Sequence, residues 1–162
     1  MTIQPMTAVH GTRVISIYEA GISTGNATFR AAAPQWPEWD QSHIKHCRLV
    51  AVENGNVSGW AALTAVSGRS VYAGVAEVSI YVAPEAQGKG IGRQLLEELV
   101  KESEQNNFWT LQALIFPENT GSLRIHEYCG FRVIGRREKI GKMNDRGRDT
   151  LLLERRSTVV GV

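Results

Sequence analysis

The stretch Gln87-Gly88-Lys89-Gly90-Ile91-Gly92-Arg93 has a glycine at every second position and lies between an expected strand and an expected helix. The apolar, β-branched run before it ends at Val82, and the helical pattern after it starts near Gly90. Backbone N–H groups in the first turn of a helix have no partner within that helix, and glycines let an anion approach them closely. The stretch therefore predicts a phosphate-binding turn at a helix N-terminus.

The spacing of this turn excludes two common phosphate-binding patterns. A Walker A turn has four residues between its first glycine and Gly-Lys-Ser/Thr, whereas here Lys89 is followed by Gly90. The dinucleotide pattern GxGxxG fails because Leu95 occupies its third glycine position. A helix cap without a ligand is the alternative, although alternating glycines exceed what a cap requires.

Hydrophobic periodicity divides the rest of the chain into strands and helices. Two apolar runs separated by Asn54-Gly55-Asn56 predict a tight hairpin, because this turn sequence supplies positive φ. The order of elements predicts a single domain over residues 1–162, of the α/β (α+β) class, with one sheet covered by helices. The predicted helices are 9–22, 38–47, about 90–106 and 120–129, and the predicted strands are a short first strand, 48–53, 57–66, 75–82, 108–116, 131–139 and 150–155.

Composition and charge exclude several classes of protein. Hydrophobic residues at 43% and charged residues at 21% argue against disorder, and a net charge of +2 is too small to indicate a nucleic-acid or membrane partner. No apolar run approaches the about 18 residues of a membrane span. Cys47 and Cys129 form no CxxC pair, and Cys47 with His43 and His46 lacks a fourth ligand, so we expect neither a disulfide framework nor a metal site. A reduced, cytoplasmic setting is the default expectation.

The glycine turn resembles a known family. Gln87–Gly92 fits the Q/R-x-x-G-x-G/A signature of the GNAT acetyltransferases, and it follows a Val-Ala-Pro exit from the fourth strand, as in that family. The resemblance implies the GNAT fold, a mixed, mostly antiparallel sheet of about seven strands flanked by about four helices and splayed between the fourth and fifth strands. It also implies acetyl-CoA as donor, with the pyrophosphate on the loop amides and the pantetheine arm along the preceding strand. The residues that it places at coenzyme A are Ile80, Tyr81, Val82, Gln87, Gly88, Lys89, Gly90, Ile91, Gly92 and Arg93.

A second match lies downstream of the turn. Residues 115–123 and 126–131 resemble the next GNAT motif, in which an Asn contacts the cofactor and a Ser opens a helix, and this implies those roles for Asn119 and Ser122. The likeness then narrows to the phosphinothricin and methionine sulfone or sulfoximine N-acetyltransferases. Their counterparts here are Ile17–Ala20, Thr28–Arg30, Arg69 with Tyr72, Ala76–Tyr81, Met143–Asp145 and Arg148 with Asp149.

Acetyl transfer to an amine needs a group that removes a proton from the ammonium. Glu77 is the first candidate, acting directly or through water, because it interrupts an apolar strand where partial burial favours proton uptake. Its alternative role is a structural ion pair with Arg69 or Arg132. His126 is the second candidate, since many GNAT enzymes have at this position a Tyr that protonates the leaving thiolate; its alternative is a partly exposed helix residue. Tyr128 is displaced by two residues and ranks lower.

The subgroup implies a small glutamate- or methionine-like acceptor acetylated on its α-amine: phosphinothricin, methionine sulfone or sulfoximine, or arsinothricin, with resistance by detoxification as the result. Arg69 and Arg148 have fork-shaped donors suited to its carboxylate. Phe29, Arg30 and Tyr72 occupy loops that line the acceptor site in similar proteins. A homodimer is expected, because a partner subunit can complete the site in this subgroup. Two alternatives stay open: a GNAT enzyme for a polyamine, aminoglycoside or protein N-terminus, and a non-catalytic acyl-CoA-binding sensor.

Overall fold

One seven-stranded sheet and four α-helices make up the fold, and the computed structural model describes every residue from 1 to 162. The strands are β1 Thr2–Pro5, β2 Leu49–Glu53, β3 Asn56–Ala65, β4 Val75–Val82, β5 Thr110–Ile115, β6 Arg132–Met143 and β7 Arg146–Arg156. The helices are α1 Gly11–Ser23, α2 Trp36–Ser42, α3 Ile91–Gln105 and α4 Thr120–Tyr128.

The sheet has the order β1-β2-β3-β4-β5-β7-β6 and is antiparallel at every junction except that between β4 and β5. These two strands run parallel and pair only over Val75–Glu77 and Thr110–Gln112. Beyond Glu77 they diverge, and residues 78–82 of β4 keep β3 as their single neighbouring strand. The mixed, mostly antiparallel GNAT sheet with a splay between the fourth and fifth strands is therefore confirmed.

The hairpin between β2 and β3 is also confirmed. Asn54 and Gly55 have φ values of 50° and 80°, the combination that a two-residue turn with right-handed strand twist requires. A second hairpin of the same kind joins β6 to β7, where Asn144 and Asp145 have φ values of 51° and 60°. The strands of this second hairpin extend further toward the turn than the predicted 131–139 and 150–155, and the turn itself contains no glycine that would indicate it in the sequence.

The core lies between the centre of the sheet and the helices that pack on it. The stripe of Ile91, Leu95, Leu96 and Leu99 on α3 is at most 3% exposed, and α3 contacts β3, β2 and β4. Removal of such a stripe from water supplies most of the stability of an amphipathic helix. This packing fixes the N-terminus of α3, and with it the glycine turn, at the end of β4.

Aromatic rings attach α1 and α2 to the same sheet. The ring of Trp60 on β3 lies 5.6 Å from Tyr18, 5.3 Å from Trp39 and 5.0 Å from Tyr81, measured between centroids. A Cβ added at Gly21 would lie 2.5 Å from the Tyr81 ring, so α1 approaches β4 closely only because residue 21 lacks a side chain. The ends of the segment that connects α1 to α2 are thereby held against the sheet.

The predicted helix over residues 38–47 is wrong in both bounds. The helix starts earlier, at Trp36, because a proline is tolerated in the first turn. It stops at Ser42, since His43 is extended and Cys47 has a φ of 56°. No group of three or more His, Cys, Asp or Glu side chains could hold a metal ion. None of the helices combines the length and the apolar character that crossing a bilayer requires.

Candidate functional site

The turn between β4 and α3 presents backbone amides to an open surface. Gly88 and Gly90 both have a φ of 80°, a conformation that other residues adopt only under strain. No side chain caps α3, and the N–H groups of residues 91–93 have no backbone partner. A Cβ added at Gly88 would meet no atom within 4 Å, and one at Gly90 would meet only a side-chain nitrogen at 3.9 Å. The surface over the turn can therefore accept a phosphate group.

Cationic side chains lie at the rim of this turn. The Lys89 ammonium is 3.9 Å from Glu53 and the side chain is 56% exposed, whereas Arg93 pairs with Glu97 at 3.7 Å and lies over the ring of Tyr128. Exposed pairs of this kind are weak and are readily exchanged for another anion. Both cations are available to a phosphate bound on the turn.

The splay of the sheet leaves one edge of β4 free beside the turn. Ile80 and Val82 are paired with Ala61 and Gly59 of β3 on one side, and β5 no longer reaches them on the other. A strand has hydrogen-bonding groups on both edges, so this free edge can bind an extended chain that carries amides.

The N-terminus of α4 lies next to the same turn. A Cβ at Gly92 would be 3.0 Å from Ile125, which shows how closely α3 and α4 pack. Asn119 caps α4, since its Oδ1 accepts a hydrogen bond from the Ser122 N–H at 3.3 Å. Ser122 is in the first turn of the helix, and the side-chain amide nitrogen of Asn119 remains free for a ligand.

His126 lies on the buried face of α4 and is 4% exposed, so its alternative role as a partly exposed helix residue is wrong. Its Nδ1–H donates to the Ser122 carbonyl at 2.8 Å, and the ring lies edge-on to Phe131 at 5.0 Å. Burial lowers the pKa of His126, and the bond to Ser122 opposes this only in part. The imidazole is thus neutral near pH 7, with its lone pair on Nε2, which is buried and has no partner. His126 can accept a proton at Nε2 but has none there to give.

Glu77 is half-buried at the point where β4 and β5 separate. Its Oε1 accepts a hydrogen bond from Gln112 Nε2 at 3.0 Å, and its other carboxylate oxygen has no partner. The alternative ion pair with Arg69 or Arg132 is absent, because Arg132 lies 3.8 Å from Glu154 and Arg69 has no ion-pair partner. The structure therefore holds a carboxylate with one free oxygen at the point where the gap between β4 and β5 begins.

Two loops contain predicted acceptor residues: the segment of residues 24–35 between α1 and α2, called here the acceptor loop, and the β3–β4 loop of residues 66–74. In the β3–β4 loop, the exposed guanidinium of Arg69 lies 5.8 Å from the centroid of the Tyr72 ring and forms neither an ion pair nor a side-chain hydrogen bond. In the acceptor loop, Arg30 Nε donates to the Ala32 carbonyl at 3.1 Å. Arg69 is thus the free cation of these two loops.

Arg148 and Phe29 both contact the ring of Phe116. The Arg148 side chain is 12% exposed and lies over the ring of Phe116 at 4.0 Å, while the Phe29 ring stands edge-on to Phe116 at 4.8 Å. Arg148 also donates hydrogen bonds to Gly25 and Asn26 of the acceptor loop. The structure brings the two predicted acceptor residues together, with the Arg148 donors directed at protein groups.

The sequence pattern of the acetyltransferase (GNAT) family matches residues 20–131, which include the glycine turn, Glu77 and the α4 motif. The chain belongs to the GNAT acetyltransferase family. Members of this family are acyltransferases, and the match makes this chain an acyltransferase as well.

Named relatives within the GNAT family agree on the class of reaction. Phosphinothricin N-acetyltransferase of Alcaligenes faecalis is 34% identical over 148 residues, covering 88% of this chain and 75% of the relative. The L-methionine sulfoximine/L-methionine sulfone acetyltransferase of Salmonella typhimurium is 36% identical over 93 residues, covering 57% of this chain and 54% of that one. The crystal structure of a phosphinothricin acetyltransferase from Sinorhizobium meliloti in complex with acetyl-CoA has a TM-score of 0.89 and 28% identity, and covers 99% of this chain and 90% of that chain.

Two residues of this candidate site were not recognised in the sequence. Gln112 hydrogen-bonds Glu77 because β4 and β5 are parallel and in register, and a pairing across 35 residues leaves no local signal. Gly141 makes room for Phe29, whose Cζ would lie 2.3 Å from a Cβ at that position. A glycine within a strand signals close approach of another group, and that signal was present in the sequence.

Proposed function

We propose that this enzyme transfers the acetyl group of acetyl-CoA to the α-amine of a small glutamate- or methionine-like amino acid. Phosphinothricin, methionine sulfone and methionine sulfoximine are the first candidates, arsinothricin is a further one, and detoxification is the consequence. The observation that carries the proposal is the half-buried Glu77 carboxylate with one free oxygen, on the strand that connects the loop of the unpaired Arg69 to the amide-lined donor turn.

The residues of the donor side fit acetyl-CoA. The amides of residues 91–93 suit the pyrophosphate, and Lys89 and Arg93 at the rim add positive charge. The pantetheine arm contains amides and fits the free edge of β4 at Ile80–Val82. Since a strand rises about 3.3 Å per residue, Glu77 lies about 10 Å along β4 from Ile80. A thioester at the end of that arm would be delivered toward the carboxylate.

The chemistry needs one proton acceptor and no covalent enzyme intermediate. Glu77 removes a proton from the ammonium, directly or through water, and the neutral nitrogen attacks the thioester carbonyl. The C–N bond forms as the C–S bond breaks, and the thiolate takes up the second amine proton. A buried, neutral His126 can relay a proton through Nε2.

Cysteine nucleophiles do not suit this site. Burial, aided by the Glu102 carboxylate, raises the pKa of Cys47 to about 12, and burial, aided by Glu97, raises the pKa of Cys129 to about 11. Only a thiolate is an effective nucleophile, so neither thiol is reactive near pH 7. This supports direct transfer to the amine.

Recognition of the acceptor is assigned to the two loops. Arg69 is free to form charge-assisted hydrogen bonds with a carboxylate, and Tyr72 beside it offers a hydroxyl and an aromatic face. Phe29 is 39% exposed and gives the acceptor loop an apolar surface for the side chain of the amino acid. Arg30 in the same loop adds positive charge. Neither loop carries the acidic cluster that a polyamine or aminoglycoside would need.

A homodimer is part of this proposal. The strand β6 lies at the edge of the sheet and exposes Val133, Ile134 and Ile140, with 42–50% of each side chain accessible. An unpaired edge strand with exposed apolar residues favours association with a second copy. Sedimentation at micromolar protein should give a dimer, and a species of monomer mass alone would contradict this part of the proposal.

A coupled thiol-release assay tests the function. The enzyme and acetyl-CoA are mixed with one amino acid at a time: phosphinothricin, methionine sulfone, methionine sulfoximine, arsinothricin, glutamate or methionine. A parallel panel contains spermidine, an aminoglycoside and a peptide with a free N-terminus. We expect kcat/KM to be highest for one of the amino-acid analogues. Faster turnover of the polyamine, aminoglycoside or peptide would overturn the acceptor assignment, and no turnover together with tight acetyl-CoA binding would favour the sensor.

A further inference from the structure

Arg148 is the most heavily engaged cation near the acceptor side. One terminal nitrogen donates to the Gly25 carbonyl and lies 3.6 Å from Met143 Sδ. The other donates to Asn26 Oδ1 at 2.8 Å and to Glu118 Oε2 at 3.3 Å. A guanidinium has five N–H donors, and a carboxylate that took two of them would have to displace these groups.

The face of the Arg148 guanidinium is occupied as well. Its Cζ lies 4.0 Å from the centroid of the Phe116 ring, a separation at which a cation and an aromatic face attract each other. Because the side chain is only 12% exposed, water weakens this attraction little. Both the edge and one face of the guanidinium are therefore committed to the protein itself.

Phe116 also contacts Phe29 in the acceptor loop. The two rings are edge to face at 4.8 Å and 88°, which is a favourable aromatic geometry. Phe29 reaches this position because β6 has no side chain at Gly141, where a Cβ would lie 2.3 Å from its ring. The acceptor loop is thus attached at Gly25 and Asn26 by hydrogen bonds and at Phe29 by packing.

We propose that Arg148 is a positioning residue that fastens the acceptor loop to Phe116, and that it does not bind the acceptor carboxylate. Arg148, Phe116, Phe29 and Gly141 form what we call the loop clamp. Phe116 is three residues before Asn119, which caps α4 on the donor side, so the clamp connects the acceptor loop to the donor wall. The kinetic part of the test rests on the proposed acetyltransferase function, whereas the proteolytic part does not.

Kinetics with paired acceptors distinguish a clamp from a carboxylate ligand. The acceptor amino acid and its α-carboxamide are compared in wild type, Arg148→Met, Arg148→Lys and Arg69→Gln, with Arg146→Met on the same hairpin as an exposed control. We expect Arg148→Met and Arg148→Lys to raise KM about tenfold for both acceptors, leaving the preference for the acid intact. Arg69→Gln should reduce that preference. If Arg148→Met abolishes the preference for the acid and Arg148→Lys restores it, Arg148 is the carboxylate ligand and the proposal is wrong.

Limited trypsin digestion tests the clamp without any turnover. The peptide bond after Arg30 lies in the acceptor loop, so its cleavage rate, followed by mass spectrometry of the fragment 1–30, reports loop opening. Arg148→Met and Gly141→Ala should both accelerate this cleavage several-fold, and Arg146→Met should not. Asn26→Ala, an exposed change that removes one hydrogen bond, serves if Arg148→Met unfolds. Unchanged cleavage in Gly141→Ala and Asn26→Ala would overturn the proposal, even if the wild-type protein acetylates none of the amino acids.

Discussion

The donor side and the acceptor side that we propose for this enzyme are built in different ways. The donor side is made of backbone from one continuous stretch, residues 78–93, with the cap of α4 added. The proposed acceptor side is made of side chains from the acceptor loop and the β3–β4 loop, which are far apart in the chain. Backbone recognition constrains where glycines occur, whereas side-chain recognition can change with one substitution. A site built in this way can keep one donor while its acceptors vary.

Glu77 lies on β4 between the two sides, and its substitution tests whether they work together. Glu77→Gln keeps the shape of the side chain and a partner for Gln112, but it removes the proton acceptor. We expect kcat to fall by about 10²- to 10⁴-fold, the range for loss of a general base, while acetyl-CoA affinity stays within about twofold. Calorimetry measures the affinity and the thiol assay measures the rate. A variant with wild-type kcat would assign the proton transfer to another group.

Loss of the free cation should affect the acceptor side alone. Arg69→Gln removes a charge-assisted hydrogen bond of about 1.5–3 kcal/mol, so KM for the amino acid should rise about 10- to 100-fold. The KM for acetyl-CoA should not change, because Arg69 contacts no donor residue. Steady-state kinetics with each substrate varied in turn provide the measurement. Equal effects on both substrates would show that the two sides are not separable at this loop.

A matched pair of glycine variants tests the donor side alone. Gly90→Ala and Gly55→Ala each place a side chain at a φ of 80° and should destabilise the fold by a similar 1–2 kcal/mol. Only Gly90→Ala lies on the amide-lined turn, and we expect about a tenfold rise in KM for acetyl-CoA there, with acceptor KM unchanged. If Gly55→Ala raises that KM equally, the loss is a general effect of destabilisation rather than of the turn.

The smallest expected effect is on stability and concerns His126. Burial lowers its pKa in the folded state, so below the unfolded value of about 6.5 the unfolded chain binds more protons than the folded one. The contribution of the neutral His126 to the free energy of unfolding should be fully present at neutral pH, and it should be lost progressively as the pH falls below about 6.5. Urea titrations at pH 7 and 5 should show a smaller decline in His126→Gln than in wild type. His43, whose pKa burial also lowers, accounts for a further part of the decline. An identical decline in His126→Gln would contradict the buried, neutral imidazole.

Sequence-based prediction succeeded for elements with strong local signals and failed where contacts between distant residues decide the structure. The strand 75–82 agrees with the structure in both bounds and α3 in its extent, because each has a strong apolar period and is bounded by glycine or proline. The end of the second helix was misplaced because the chain leaves the helix at His43, which is extended, and Cys47 is left-handed. The side chains of these residues do not indicate such conformations. The burial of His126 depends on Phe131, which packs against its ring only when β6 joins the sheet.

The sequence by itself determined the glycine turn, the hairpin at Asn54-Gly55, the position of Glu77 and the family, because local spacing sets helix starts, turns and strand alternation. Only the tertiary structure decided that Glu77 is held by Gln112, that Arg69 is free and that Arg148 is occupied by the acceptor loop. These contacts depend on which groups the fold places next to a carboxylate or a guanidinium. Gln112 is 35 residues from Glu77 along the chain, and Asn26 is 122 residues from Arg148. Electrostatic partnership is a property of distance in space, which the sequence pattern does not encode.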